Sequence, residues 1–319
     1  MESLNHRSLR YGDHSLQTVD VWERPVDERV PAEGSNRYFF IYIHGGAWRD
    51  PQQLTDTAVP SIKLLAANDS PYIGRDRIAG FASIGYRLSP HPNFPQDASS
   101  TPADELRAAR HPDHINDVWA ALAKLGEYEK HAKGSPGDYI AHDRYIIYGH
   151  SCGGFLTYQL WMGAQATLSP SFGKAPPYIV GFEGIYDLRG LVDRGGSPAH
   201  GGGPGTGFAV ALLSIATGSF GDDRSAWDTA SPGKYDWTTL PDAPGPKRLA
   251  VVAYSMEDEL VDVGEIDTLE AALRHGEASG KFSLAVARDL HGGHDDVHTD
   301  GHEIARVLTE TVRQLDSRL

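Results

Sequence analysis

Two short runs of uninterrupted apolar, β-forming residues each break directly into a glycine-containing turn. They constrain the fold of this chain more than any other feature. The first, Tyr38-Phe39-Phe40-Ile41-Tyr42-Ile43, ends in His44-Gly45-Gly46; the second, Tyr145-Ile146-Ile147-Tyr148, ends in Gly149-His150-Ser151-Cys152-Gly153. A strand that is apolar on both faces must be covered on both faces, as in a parallel sheet packed between helices. Tyr178 to Phe182, Leu249 to Tyr254 and Phe282 to Ala287 repeat the pattern, and Ile78 to Tyr86 is a further candidate. Gln17 to Glu23 alternates instead, as a strand exposed on one face does.

Helices fit between these runs. From Pro112 to Tyr128 the residues Ile115, Val118, Trp119, Leu122 and Leu125 share one face, the spacing of an amphipathic helix. Val263 to Arg274 and His302 to Leu315 read the same way. Strands alternating with helices over 319 residues predict one α/β domain spanning 1–319, with a mostly parallel central sheet and helices on both faces. The stretch from about 188 to 247 interrupts the alternation. Gly190 to Gly207 is dominated by Gly, Pro and Ser and reads as a mobile loop. Asp222 to Pro246 reads as a long surface connection, with a helical pattern at Phe208 to Thr217 between the two. Loops of this length are often lids.

Composition narrows the partners. A formal charge of −14 repels phosphate backbones and anionic lipid, so neither nucleic acid nor a membrane is expected as a partner. No run approaches the roughly 18 apolar residues of a membrane span. The first residues lack a secretory signal core. The single cysteine, Cys152, has no internal disulfide partner, which suits a reducing, cytoplasmic setting. A homodimer is compatible with all of this.

Gly149-His150-Ser151-Cys152-Gly153 matches G-x-S-x-G. Its place between an apolar strand and a helix is that of a nucleophile elbow in the α/β-hydrolase fold. Ser151 is the expected nucleophile. A serine hydroxyl needs a base within reach and a third group to orient that base, and in this fold they follow in the order Ser, Asp or Glu, His. Ser255-Met256-Glu257-Asp258-Glu259-Leu260-Val261-Asp262 follows a late strand, and Asp258 is the preferred acid, with Glu257, Glu259 and Asp262 as rivals. After the next strand, His294 is preferred as base because Gly292 and Gly293 free the loop to reach back; His291 competes. His298 and His302, four apart, have metal-sharing spacing, but Gly301 interrupts the helix they would need. Neither a metal nor a cofactor is expected.

A tetrahedral oxyanion needs preplaced N–H donors. His44-Gly45-Gly46-Ala47-Trp48 stands where the HGGG-type loop of esterases supplies them, so the N–H groups of Gly46 and Ala47 are expected to join that of Cys152.

The motifs His44-Gly45-Gly46-Ala47-Trp48-Arg49-Asp50-Pro51, Tyr86-Arg87-Leu88-Ser89-Pro90, Gly149 to Gly153, Gly184-Ile185-Tyr186-Asp187, Asp258 to Val261 and His294 to Val297 resemble those of kynurenine formamidase (arylformamidase), fungal members in particular. The resemblance implies cofactor-free hydrolysis of N-formyl-L-kynurenine to L-kynurenine and formate, a step of tryptophan degradation, with triad positions matching Ser151, Asp258 and His294. A broad-range carboxylesterase on the same fold is the alternative. A formyl group needs almost no acyl pocket, so recognition falls on the aryl amino-acid portion. Trp48, with Tyr186 second, is the expected ring contact, and Arg49 or Arg189 is a candidate for a carboxylate.

Overall fold

The computed structural model describes residues 4–163, 175–198, 201–242 and 245–318. One eight-stranded sheet runs through them in the order β1-β2-β4-β3-β5-β6-β7-β8. The strands are β1 (Asn5–Arg10), β2 (Thr18–Glu23), β3 (Tyr38–Ile43), β4 (Ile78–Ile84), β5 (Tyr145–His150), β6 (Tyr178–Phe182), β7 (Arg248–Ser255) and β8 (Phe282–Leu290). From β4 through β8 every neighbouring pair is parallel; β1 and β2 are antiparallel additions at one edge.

The two apolar runs are the inner strands β3 and β5. They pair directly, Phe39 with Tyr145 through Ile43 with Gly149, and every residue of both is buried. Their registered ends bring His44-Gly45-Gly46 beside the Ser151 turn. Side chains alternate between two hydrophobic layers, one containing Phe39, Ile41 and Ile147, the other Phe40, Tyr42 and Tyr148. On the first layer lie α2 (Asp113–Glu127), α4 (Cys152–Gln159) and α8 (Val263–Glu277). On the second lie α1 (Val59–Ala66) and α10 (His302–Asp316). The short α3 (Pro136–Ala141) and α9 (Asp296–Asp300) complete this part of the helical cover.

Two expectations are corrected, and one strand was not anticipated. β1, an exposed and polar strand, carries no apolar alternation that a sequence reading detects; it is held by pairing with β2. The segment read as a mobile loop from Gly190 begins inside α5 (Leu188–Arg194), which buries Leu188, Leu191 and Val192 and ends at Gly195 in the left-handed conformation. Beyond it the chain is also organised: Gly203 N–H donates to Gly195 O and Gly202 N–H to Ser197 O, while Ala199 and His200 lie outside the described residues. The supposed surface connection contains α7 (Arg224–Ala230) and fully buried Trp227 and Trp237, which a merely superficial segment would not supply. Between them α6 (Gly207–Phe220) carries the anticipated helix somewhat past Thr217.

Candidate active site

Sharp reversal of the chain after β5 puts Ser151 at φ 54°, ψ −125°. A non-glycine residue in this region is strained by about 1–3 kcal/mol and persists only where its surroundings over-determine it. Here they do. Ser151 N–H donates to Phe182 O at 2.9 Å, and α4 begins at the next residue. A Cβ on Gly149 would stand 2.2 Å from Gly153 O, and one on Gly153 would stand 2.1 Å from Ile43 O. Both glycines are therefore demanded by backbone-on-backbone contact.

His294 and Asp258 meet behind the serine. Nδ1 of His294 lies 2.8 Å from Asp258 Oδ2, with both side chains buried. The other carboxylate oxygen, Oδ1, accepts the N–H groups of Leu260 and Val261, each at 2.8 Å. An ionised carboxylate accepts only, so Nδ1 carries a proton and Nε2 is left as the acceptor. Burial pulls the His294 imidazole down, but the hydrogen bond and charge of Asp258, helped by Asp295 and Glu259, outweigh it, and the net direction is up. Ser151, His294, Gly46 and Ala47 line one cavity of about 280 Å³, with Leu260 and Ile215 of α6 on its walls.

The rivals go elsewhere. The His291 side chain is 81% exposed and faces Glu257 at 3.6 Å. Glu259 accepts the backbone N–H of His294 at 3.0 Å, and Asp262 caps α8 through Gly264 N–H. His298 faces Asp295 and His302 faces Tyr72, on either side of left-handed Gly301.

On the opposite wall, Gly46, Ala47 and Trp48 all have positive φ, 86°, 50° and 59°. Two of them are not glycine, so this loop too is held in place. Tyr86 stacks on His44 at 4.2 Å and donates its hydroxyl to His44 O at 3.0 Å. Trp48 N–H points to Cys152 Sγ at 3.2 Å, and Ser89 N–H donates to Trp48 O. Burial pushes the Cys152 thiol up to about 11, so it is a neutral packing group.

The expected ring contacts are not in the cavity. Trp48 is fully buried, edge-on to Phe155 and Phe220, and Tyr186 is buried edge-on to Tyr158. Arg189 is engaged with Asp228, whereas Arg49 lines the cavity.

Sequence reasoning missed several supports. His150 Nε2 donates to the backbone carbonyl of His294 at 2.9 Å, tying the serine turn to the histidine loop. Ser255 donates to Gly292 O at 2.6 Å and holds the same loop from β7. Glu183, at φ 47°, is buried beside both histidines, 3.4 Å from His150 Nε2 and 3.9 Å from His294 Nδ1. Burial, then the charge of Asp258, drives its carboxyl far above the ordinary range, so it is neutral at pH 7. Among the described residues, His150, Glu183 and His294 are close enough to share a metal ion. They do not fit one: the His150 and His294 nitrogens facing Glu183 both carry protons, each donated to an oxygen. The only signal in the sequence was adjacency, since His150 neighbours Ser151 and Glu183 follows a strand.

No family model matches the chain. It is 33% identical over 308 residues to the kynurenine formamidase of Aspergillus versicolor, covering 89% of this chain and 90% of that one. A kynurenine formamidase-like hydrolase of Fusarium equiseti is 32% identical, with 94% and 90% covered. The chain belongs to the kynurenine formamidase family. A more distant family member, the kynurenine formamidase of Meyerozyma guilliermondii, is 23% identical over 95% of this chain and 92% of its own. Among solved structures, this formamidase-family chain superposes on the thermostable carboxylesterase EstE1 with a TM-score of 0.61 at 17% identity, covering 98% and 88% of the two chains. An esterase of Pyrobaculum calidifontis gives 0.59 at 16%, with 98% and 86% covered. These place the formamidase-family chain in the α/β-hydrolase fold, and it is a hydrolase. Among the described residues no helix is long and apolar enough to cross a membrane.

Proposed function

We propose that this protein hydrolyses N-formyl-L-kynurenine to L-kynurenine and formate by a Ser-His-Asp mechanism. His294 Nε2 takes the Ser151 proton as Oγ attacks the formyl carbon. The oxyanion lies against the N–H groups of Gly46, Ala47 and Cys152, at the N-terminus of α4. As the C–N bond breaks, protonated His294 passes its proton to the departing aryl amine. Water then gives a proton to His294 and its hydroxide attacks the formyl carbon; the bond to Oγ breaks, Ser151 regains a proton, and formate leaves. Asp258 holds Nδ1–H throughout and stabilises the imidazolium.

The observation that carries this reading is the 2.8 Å bond from His294 to Asp258 in a residue that shares a cavity with strained Ser151 and with the Gly46–Ala47 turn. The substrate is suggested by the names of the fungal relatives. Within the stretch read as a lid, α6 contributes Ile215 to the cavity wall and serves as that cover. With Trp48 in the core, its part is to brace the donor turn.

The test is turnover of N-formyl-L-kynurenine by the purified protein, followed by L-kynurenine absorbance, beside a short-chain aryl ester. Efficient formamide hydrolysis, lost in Ser151→Ala, supports the reading. Ester turnover without formamide turnover points to a carboxylesterase, and full activity of Ser151→Ala refutes the serine mechanism.

A further inference from the structure

Arg49 is 92% buried by residue (8% exposed), yet among the described residues no carboxylate lies within ion-pair distance of it. Its one side-chain hydrogen bond donates from Nη1 to the Ser214 hydroxyl of α6, at 3.2 Å. Burial lowers its pKa, and the field of neighbouring Asp50 only partly offsets this. Leaving one member of an ion pair uncompensated in the interior is ordinarily destabilising, so a guanidinium kept this way is a receptor short of its anion.

Its position says which anion. Arg49 and His91 line both the cavity at Ser151 and an adjoining one of about 610 Å³. Arg107 also lines that second cavity; its Nη2 donates to Phe94 O at 2.7 Å while its buried Nε has no acceptor. Both guanidiniums lie close enough to His91 to help burial push that imidazole down, so it is neutral and adds no third charge. Arg110 also lines the cavity, and the carboxylates at hand are Asp222 in it and Asp50 and Asp295 in the adjoining one. Three cations against three anions leave no net positive charge to match a dianion such as a phosphate ester, so a guest with a single negative charge is the better fit. Arginine presents a planar fork matched to a carboxylate.

We propose that the cavity between Arg49 and Arg107 is a carboxylate-recognition subsite, which takes the acid group of a substrate whose reacting carbonyl sits at Ser151. That the carboxylate belongs to the leaving amine rests on the formamidase reading, where the acyl group is too small to carry one. The preference for a monoanion does not rest on it.

A binding measurement separates the two. Calorimetric titration of 3-phenylpropionate and its neutral amide, 3-phenylpropionamide, needs no turnover. The wild-type protein binds the acid at least tenfold more tightly than the amide, as expected of charge-assisted hydrogen bonds. Arg49→Gln and Arg107→Gln each shrink that ratio to threefold or less, and Arg49→Lys restores part of it. Circular dichroism and the thermal midpoint verify that each variant is folded; should Arg49→Gln not fold, Arg107→Gln decides alone. Equal wild-type affinity for the two probes, binding of neither, or an unchanged ratio in the folded variants overturns the proposal. Absence of formamide turnover alongside an intact acid preference would remove the formamidase reading and leave this subsite standing.

Discussion

Glu183 stands 3.9 Å from Nδ1 of His294, second in line behind Asp258 at 2.8 Å. Two carboxyl groups thus address one imidazole nitrogen, and their environments drive them apart. Asp258 accepts two backbone N–H groups; burial, then the charge of Asp258, raises the Glu183 carboxyl far above the ordinary range in spite of a backbone hydrogen bond from Ser255, and it is neutral. Asp258→Asn should therefore lower kcat by about 10⁴-fold, the scale seen when a triad acid loses its charge. The double variant Asp258→Asn, Glu183→Gln should be weaker still, because Glu183 is the remaining carboxyl near that nitrogen. Steady-state rates on one substrate decide this.

Because the imidazole of His294 is raised, the acidic limb of kcat/KM should lie above the ordinary histidine value of about 6.5. The base works neutral, so activity falls as pH drops through that limb. Glu183→Gln, which exchanges one uncharged group for another of similar shape, should leave the limb in place. A downward shift would mean that Glu183 is charged in the native protein.

The same residue links stability to pH. Folding carries the Glu183 carboxyl from an ordinary acid to one that stays protonated. Its contribution is fully present below the unfolded value of about 4.3 and is lost as pH rises toward the folded value. Wild-type thermal midpoints should thus fall, relative to Glu183→Gln, between pH 5 and pH 8, as scanning calorimetry would reveal.

Two substitutions separate backbone from side chain at the donor turn. Gly46→Ala puts a Cβ 3.1 Å from both Asp50 Cβ and Gln53 Cβ at φ 86°. Displacing one donor in this way should cost about 2.7–4 kcal/mol of barrier, or 10²–10³ in kcat. Cys152→Ser retains its N–H and should stay within about tenfold of wild type. Equal losses from both would argue against a donor role for this turn.

Tyr86→Phe removes the hydroxyl bonded to His44 O but keeps the stacked ring. A loss of about 1 kcal/mol in stability follows from the missing hydrogen bond. A larger fractional fall in kcat than in binding would show that the tyrosine holds the donor turn in register. Urea melts and KM values give both numbers.

Much of the frame was legible because covered strands must be continuously apolar. Tyr38–Ile43 and Tyr145–Tyr148 could each be read as a covered strand ending in a glycine-containing turn; that the two pair directly and so set their turns side by side comes from the structure. Asp258 and His294, preferred from loop position among four acids and two histidines, stand 2.8 Å apart; the contact with Nδ1 is what separates Asp258 from Glu257, Glu259 and Asp262. Trp48 was misplaced since an aromatic beside a glycine turn looks the same whether it faces solvent, ligand or core; contact with Phe155 and Phe220 decides it. Glu183 and Arg49 escaped firm assignment for a related reason. A buried ionisable group is informative only through what surrounds it, and those surroundings come from residues far away in the chain, Ser214 for Arg49 and His294 for Glu183.

The bond between His150 and the carbonyl of His294 joins positions 144 residues apart. It forms only after β6, β7 and β8 have been added beside β5, so chemical reactivity at Ser151 should be among the last properties a growing chain acquires. A ribosome-stalled product ending before β8 would contain the serine turn and remain inert toward fluorophosphonates, which turns a covalent label into a clock for completion of the sheet.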